Sequence, residues 1–451
     1  MRNFINLVFL VFILVGCAGK TAVDNYKVQE FIDENESFTI NEKWYLGYDQ
    51  KPLNLLIDRA LVANKELEIA ALNSLQALAR VGLIKADLLP TFMASWGVES
   101  GRDISVSQEW KDSFSSNLSI SYELDLYGKI KDSVSSSQWS AKASIYDLKA
   151  AKLNVINLVV DSYFRELYLR DTLMLLDENL KNYKSLKNIV NLKVNLGKSM
   201  PMEALEVEKS ILNLQNQILN FKKDRVANLE ILRNLLYLKP DETINLDGKA
   251  LLDIKFMGVD MSVPVYALSN RPDIRSFISQ INSSFYDYKV RQKSFYPTIS
   301  LGGSLSSSSS DFSGSGELDF LSGSIRINLP FLDYNRLKAN LKISELEFEK
   351  RVATYKNALY KALNEVSRFY SDYTNSLLRL ENSSKISSNA AKLSSLYYTR
   401  YTLGKAELKD YLEAKNAEIS AKTSLINEKY KALQSEISVY KAMAGKFESK
   451  Y

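Results

Sequence analysis

The tripeptide Leu196-Gly197-Lys198 returns as Leu403-Gly404-Lys405, an offset of 207 residues, and the register persists well beyond it. Pro90-Thr91 falls on Pro297-Thr298, Val159 on Val366, Tyr163 on Tyr370 and Leu205-Glu206 on Leu412-Glu413, with no insertion or deletion between the first match and the last. A unit this long, present twice, dictates a repeat architecture: what the first copy folds into, the second folds into as well.

Punctuation and period give the elements of each copy. The 451 residues hold 17 glycines and eight prolines, at 52, 90, 201, 240, 264, 272, 297 and 330, so 91–200 and 331–451 are otherwise unbroken and favour long regular elements, Pro201 closing the first stretch. Over 53–89, Ile57, Ala60, Leu61, Leu67, Leu75 and Leu78 recur near helical spacing, and Pro90 ends the pattern. The period then drops to two. Phe92, Ala94, Trp96 and Val98 alternate with Met93, Ser95, Gly97 and Glu99; Phe114, Leu118, Ile120, Tyr122, Leu124 and Leu126 alternate with Ser115, Asn117, Ser119, Ser121, Glu123 and Asp125. This predicts strands over 91–99 and 114–126 and, in the second copy, over 298–306 and 320–330, with a Ser/Gly-rich loop at 306–316. Helical spacing follows from 129 to 195 and from 336 to 402. Each run would extend ~100 Å, too long to be buried without partners alongside.

Gly197 with Pro201, and Gly404, turn these helices back into return helices over 202–238 and 406–444. The chain thus divides into a leader (1–16), an extended and lightly structured lead-in (17–52), a first copy (53–238), an irregular connector (239–266), a second copy (267–445) and a tail (446–451).

The polar side of the strands bears on function. Segments of about ten residues with aromatics near their ends suit tilted transmembrane strands, lipid on one face and water on the other. Ser119, Ser121, Glu123, Ser324, Arg326 and Asn328 are then candidate lumen residues. A soluble sandwich, as in a lipid-anchored periplasmic scaffold or adhesin, shows the same alternation, and the pattern alone leaves both readings open. In a bilayer four strands cannot close, and open edges are not tolerated, so a barrel must be shared between chains. Two chains give eight strands with a filled interior; three give twelve and room for a pore.

Several classes are excluded. There is no histidine and Cys17 is the only cysteine, which removes Cys/His nucleophilic machinery and the usual zinc sites. A net charge of +5, its lysines interleaved with acids, gives no nucleic-acid footprint. Gly197-Lys198-Ser199 lacks the upstream glycine of a phosphate loop, since residue 192 is leucine. No enzyme activity and no cofactor are expected.

Met1-Arg2-Asn3, an apolar run from Leu7 to Val15 and the tetrapeptide Leu14-Val15-Gly16-Cys17 describe a secretory leader ending in a sequence that resembles the bacterial lipobox. Cys17 is the candidate lipidation site, with acyl chains as its covalent group. Ala18, rather than aspartate, follows it, and the resemblance then points to the outer membrane.

A lipobox followed by two copies of helix, two strands, long helix, turn and return helix resembles the TolC-type outer membrane factors, in particular their lipoprotein (OprM/NodT-like) branch. Local elements carry the likeness: Leu88-Leu89-Pro90-Thr91 and Phe295-Tyr296-Pro297-Thr298 entering strands, Glu123-Leu124-Asp125-Leu126-Tyr127-Gly128-Lys129 leaving one, and Tyr401-Thr402-Leu403-Gly404-Lys405 at a tip. The resemblance implies a mixed α/β membrane protein: a homotrimer with a twelve-stranded transmembrane β-barrel, continuous with a twelve-helix periplasmic α-barrel. It implies a passive exit duct in the outer membrane lipid for an inner-membrane transporter of the RND type, reached through a periplasmic adaptor. Drug efflux is the expected use, with metal-ion efflux and type I protein secretion as alternatives. It also places acids six and nine residues after each tip glycine at the periplasmic aperture, here Glu203, Glu206, Asp410 and Glu413, with Tyr401 beside them. Gly197, Lys198, Gly404 and Lys405 become tip turns and adaptor contacts. Where the family's latch can use a basic residue, this chain has Ala406, leaving Lys405 or Lys409 to substitute.

Overall fold

The computed structural model describes Val23 and residues 26–28, 38–105, 110–260 and 265–449; Cys17 and its lipobox lie outside them. In chain order the elements are β1 (Phe38–Asn41), α1 (Lys51–Ala63), α2 (Lys65–Ala86), β2 (Thr91–Gly101), β3 (Lys111–Leu124), α3 (Lys129–Asn195), α4 (Pro201–Leu236), α5 (Pro272–Lys293), β4 (Thr298–Ser309), β5 (Phe320–Asn328), α6 (Tyr334–Thr402), α7 (Leu408–Met443) and β6 (Lys446–Ser449). They cluster into two compact units. One is built from Leu72–Tyr146 and Asp273–Ala358 with the described N-terminal residues; the other comprises Asp33–Ala71, Asp147–Pro272 and Leu359–Tyr451.

In the first unit β2-β3-β4-β5 form one antiparallel sheet in sequence order. Its registers repeat the duplication. Thr91 faces Ser121, and 207 positions further along both strands Thr298 faces Asn328. Each apolar position is opposite an apolar or small one, so one face carries Phe92, Trp96, Leu118, Ile120, Leu301, Ile325 and Ile327. That face is open: Phe92 is 72%, Leu321 79% and Ile325 74% exposed. A sandwich would cover it. Strand β3 starts three residues before its predicted beginning and stops at Leu124, because Asp125 leaves the ladder to cap α3. Its two carboxylate oxygens accept from the Ile130 and Lys131 amides, each at 2.9 Å. The Ser-rich stretch after 306 adds three residues to β4 before a short 3-10 turn at Phe312–Gly316.

In the second unit the core is a helical seam. Ile156, Val159, Val160, Tyr163, Phe164 and Leu167 of α3 follow i, i+3, i+4, i+7 spacing and are at most 2% exposed. On α4, Ile211, Leu214, Ile218, Leu232 and Leu235 follow the 3-4 spacing of a coiled-coil seam and are buried. The helix predicted over 53–89 is two helices. Asn64 breaks it, its Oδ1 accepting from the Leu67 amide at 3.0 Å and its Nδ2 donating to the Leu235 carbonyl at 3.1 Å.

Residues 38–48 of the lead-in are more ordered than the light structure expected of it. Trp44, Tyr45 and Tyr48 are 2–3% exposed within the main core cluster, and β1 pairs antiparallel with β6. The connector is fastened by α7. Glu436, fully buried, accepts from Tyr48 Oη and the Gly258 amide, each at 2.8 Å; Lys429 donates to the Ile254 carbonyl at 2.5 Å and lies over the Phe256 ring. Burial pushes the Lys429 amine down to about 8 and the Glu436 carboxyl up.

Candidate functional site

The two tip turns are the same structure. Gly197 and Gly404 adopt φ of 68° and 69°, a region that a side chain makes costly. Each closes its helix with a Schellman pair: Gly197 N–H to Val194 O (2.9 Å) with Lys198 N–H to Lys193 O (2.8 Å), and Gly404 N–H to Tyr401 O (2.9 Å) with Lys405 N–H to Arg400 O (2.8 Å). Both lysines therefore serve the turn through their backbone, and their side chains are exposed. Tyr401 lies parallel to Tyr411 of α7, ring centres 6.4 Å apart, and Tyr398 tilts against the same ring at 5.2 Å.

The acids after the glycines divide by role. Asp410 is the third residue of α7 and closes a capping box, its Oδ2 accepting from the Glu407 amide at 3.0 Å. Glu203, the third residue of α4, accepts from Lys409 at 3.0 Å, and Lys409 also stands 4.0 Å from Glu413. That lysine holds the Glu203 carboxyl below the usual glutamate value, and Glu203 in turn raises Lys409. Glu206 and Glu413 are exposed. Lys409 thus brings Glu203 of the first copy and Glu413 of the second to one cation. A second tie, Lys193 with Glu407, crosses between the two hairpins beside it. Neither Lys193 nor Tyr411 carries a local motif; only the spatial register of the hairpins brings them in. Beneath the ion pairs Leu186, Val190 and Leu412 form a buried apolar cluster.

The six strand residues read as lumen candidates share the polar face of the sheet. Ser119 pairs with Ser304, Ser121 with Gly302, and Glu123 with Ser300; beyond them stand Ser322, Ser324 and Arg326, with Asn328 opposite Thr298. Hydroxyls dominate, and Ser304 and Ser322 are in mutual contact at 2.7 Å. Glu123 is held by Lys129 at 3.0 Å, at the entrance to α3, while Arg326 is exposed. Among the described residues there is no group of three or more acidic or cysteine side chains placed to hold a metal ion.

A surface with one lipid-compatible face and one hydroxyl face, joined to paired helical hairpins, agrees with what known proteins show. The family model for outer membrane efflux proteins matches twice, at residues 56–236 and 263–445, one match per copy. The chain is 34% identical over 450 residues to an uncharacterized protein of Haemophilus influenzae, covering 99% of both chains. It is 32% identical over 442 residues to the toxin and drug export protein A of Aggregatibacter actinomycetemcomitans, covering 97% of this chain and 96% of that one. Among solved structures, the CmeC outer membrane channel of Campylobacter jejuni superposes with a TM-score of 0.80 at 24% identity, over 97% of this chain and 95% of that one. The open-state MtrE outer membrane channel of Neisseria gonorrhoeae gives 0.78 at 22% identity, over 93% and 95%. The fold is that of these channels, and the chain belongs to the outer membrane efflux protein family.

Proposed function

We propose that three copies of this chain form the outer membrane exit duct of a tripartite efflux system, passively conducting drugs or other small molecules delivered by an inner-membrane transporter through a periplasmic adaptor. The observation that carries this is the four-stranded sheet: apolar and exposed on one face, hydroxyl-rich on the other, with β2 and β5 as open edges. Hydrocarbon does not tolerate such edges, and three sheets joined edge to edge make a twelve-stranded barrel with a wet interior. The helices also call for assembly. Leu72 and Leu75 of α2 and Leu378, Leu393 and Leu396 of α6 remain 56–61% exposed in the single chain and call for neighbours.

At the tips, Leu196, Met200, Leu205 and Leu403 are 64–70% exposed, a small apolar surface suited to an adaptor. Beside it Glu203, Glu206, Asp410 and Glu413, twelve carboxylates in a trimer, form an aperture that favours cations and is tempered by Lys409. Cys17, lipidated, adds a second hold on the membrane. A second reading is protein secretion through the same duct; the name of the Aggregatibacter relative includes toxin as well as drug export.

The test is electrophysiological. Purified protein is expected to run as an SDS-resistant, heat-dissociable trimer and to give cation-selective steps in planar bilayers. Replacing Asp410 and Glu413 with alanine is expected to weaken that selectivity. A monomer that forms no pores would sink the duct. Loss of export of small toxic compounds in a deletion strain, with polypeptide secretion intact, separates the first reading from the second.

A further inference from the structure

The duplication is obeyed by the sheet pairings as well as by the sequence. Val98 faces Phe114, and 207 positions on in both strands Leu305 faces Leu321. The remaining pairing, β3 with β4, joins the second strand of one copy to the first strand of the other, with Leu118 opposite Leu305 and Ser119 opposite Ser304. Its counterpart under the same shift joins β5 to a β2, yet this chain's own β2 lies at the far edge of the sheet. We infer that β5 of one chain pairs with β2 of a second copy in the transposed register of β3 and β4: Ile325 opposite Val98, Ile327 opposite Trp96, Ser324 opposite Glu99 and Arg326 opposite Gly97. This rests on the shared barrel proposed above and names its seam.

Chemistry on both faces agrees with this register. On the apolar side it sets Ile325 and Ile327 against Val98 and Trp96, all at least half exposed in the single chain and all covered by such a pairing. On the polar side it places Arg326 opposite a residue without a side chain and diagonal to Glu99, with both charged groups exposed until the seam closes. Diagonal neighbours across an antiparallel pair lie ~7–8 Å apart at Cα, within reach of long side chains. Each seam of the duct therefore carries an Arg326–Glu99 ion pair facing the lumen, contributed by two chains.

Cysteine pairs test the register in the full-length protein in outer membranes. Val98→Cys with Ile325→Cys is expected to oxidise into dimers and covalent trimers on denaturing gels. The slipped pairs Val98→Cys/Gly323→Cys and Val98→Cys/Ile327→Cys are expected to cross-link at least tenfold less, because directly opposed Cα atoms lie within disulfide range and offset ones do not. Single-cysteine variants control for Cys17. Preferential cross-linking of a slipped pair would overturn the register while keeping the shared barrel; absence of any cross-link together with a monomeric protein would remove both. For the ion pair, Arg326→Glu is expected to lower the temperature at which the trimer dissociates in SDS, and adding Glu99→Arg to restore it. Failure of that rescue in a trimer with the correct cross-link would dismiss the Arg326–Glu99 contact.

Discussion

Lys409 shows how one side chain changes the reading of a site. The family resemblance places four acids in a ring of negative charge, but Asp410 spends an oxygen on its helix cap, and Glu203 is held by Lys409, which also faces Glu413. The negative charge of these acids is therefore partly offset by Lys409. Removing that lysine as Lys409→Ala is expected to shift the reversal potential further toward cation selectivity in a salt gradient at pH 7; an unchanged potential would place Lys409 away from the conduction path. The pH dependence has a definite sign. Glu203 has its carboxyl lowered beneath the ordinary 4.5, so the tie to Lys409 is complete above that value and is lost as pH falls through the lowered one. Wild type and Glu203→Gln are accordingly expected to differ at pH 7 and still at pH 4.5, and to converge in conductance only as pH falls through the lowered value.

At the scale of elements, the α3–α4 hairpin keeps a polar layer in an otherwise apolar seam. Glu166, 1% exposed, accepts from Arg225 at 2.6 Å, and Asn228 donates to the Ser162 carbonyl at 2.9 Å. Burial raises the Glu166 carboxyl and outweighs the opposing pull of Arg225. Arg225→Ala leaves that carboxylate buried without its cation, a change that costs about 3–5 kcal/mol. Because the folded form holds its proton more tightly than the unfolded chain, the loss is expected to be largest at neutral pH and to shrink as pH falls toward 4.5; adding Glu166→Gln should recover most of it. Thermal unfolding followed by circular dichroism measures both. The hairpins and strands themselves were legible because each carries its own period: 3-4 apolar spacing on α4, strict alternation from Leu118 to Leu124, glycine at both turns. Illegible were features made by residues far apart in the chain. Strands β1 and β6 are four residues each, too short to show a period, and they meet only after some 400 intervening residues are folded. Glu436 and Lys429 look like ordinary surface positions of a Lys/Glu-rich helix until the connector is laid over them, and Asn64 reads as one more polar residue in a long helix rather than its break.

For the whole molecule the question is what holds it in the outer membrane. Two anchors enter: the acyl chains proposed on Cys17, and a barrel wall to which each chain contributes four strands of 9–14 residues. A single acyl chain binds a bilayer marginally and reversibly, and even several remain a local attachment. The barrel wall, by contrast, buries the exposed apolar face of twelve strands in hydrocarbon, and its removal would expose every seam. The strands are therefore expected to dominate retention, and we propose that lipid on Cys17 acts earlier, in delivering each chain to the membrane before three sheets close on one another. Cys17→Ser with the leader exchanged for one that is cleaved without lipidation is expected to leave assembled trimers in the outer membrane fraction while slowing their appearance in a pulse-chase experiment. Polar substitutions on the lipid face, such as Ile325→Asp with Ile327→Asp, are expected to abolish insertion although Cys17 is still acylated. If the unlipidated protein were instead wholly soluble in the periplasm, the sheet would not be a membrane wall, and its open apolar face would need another partner.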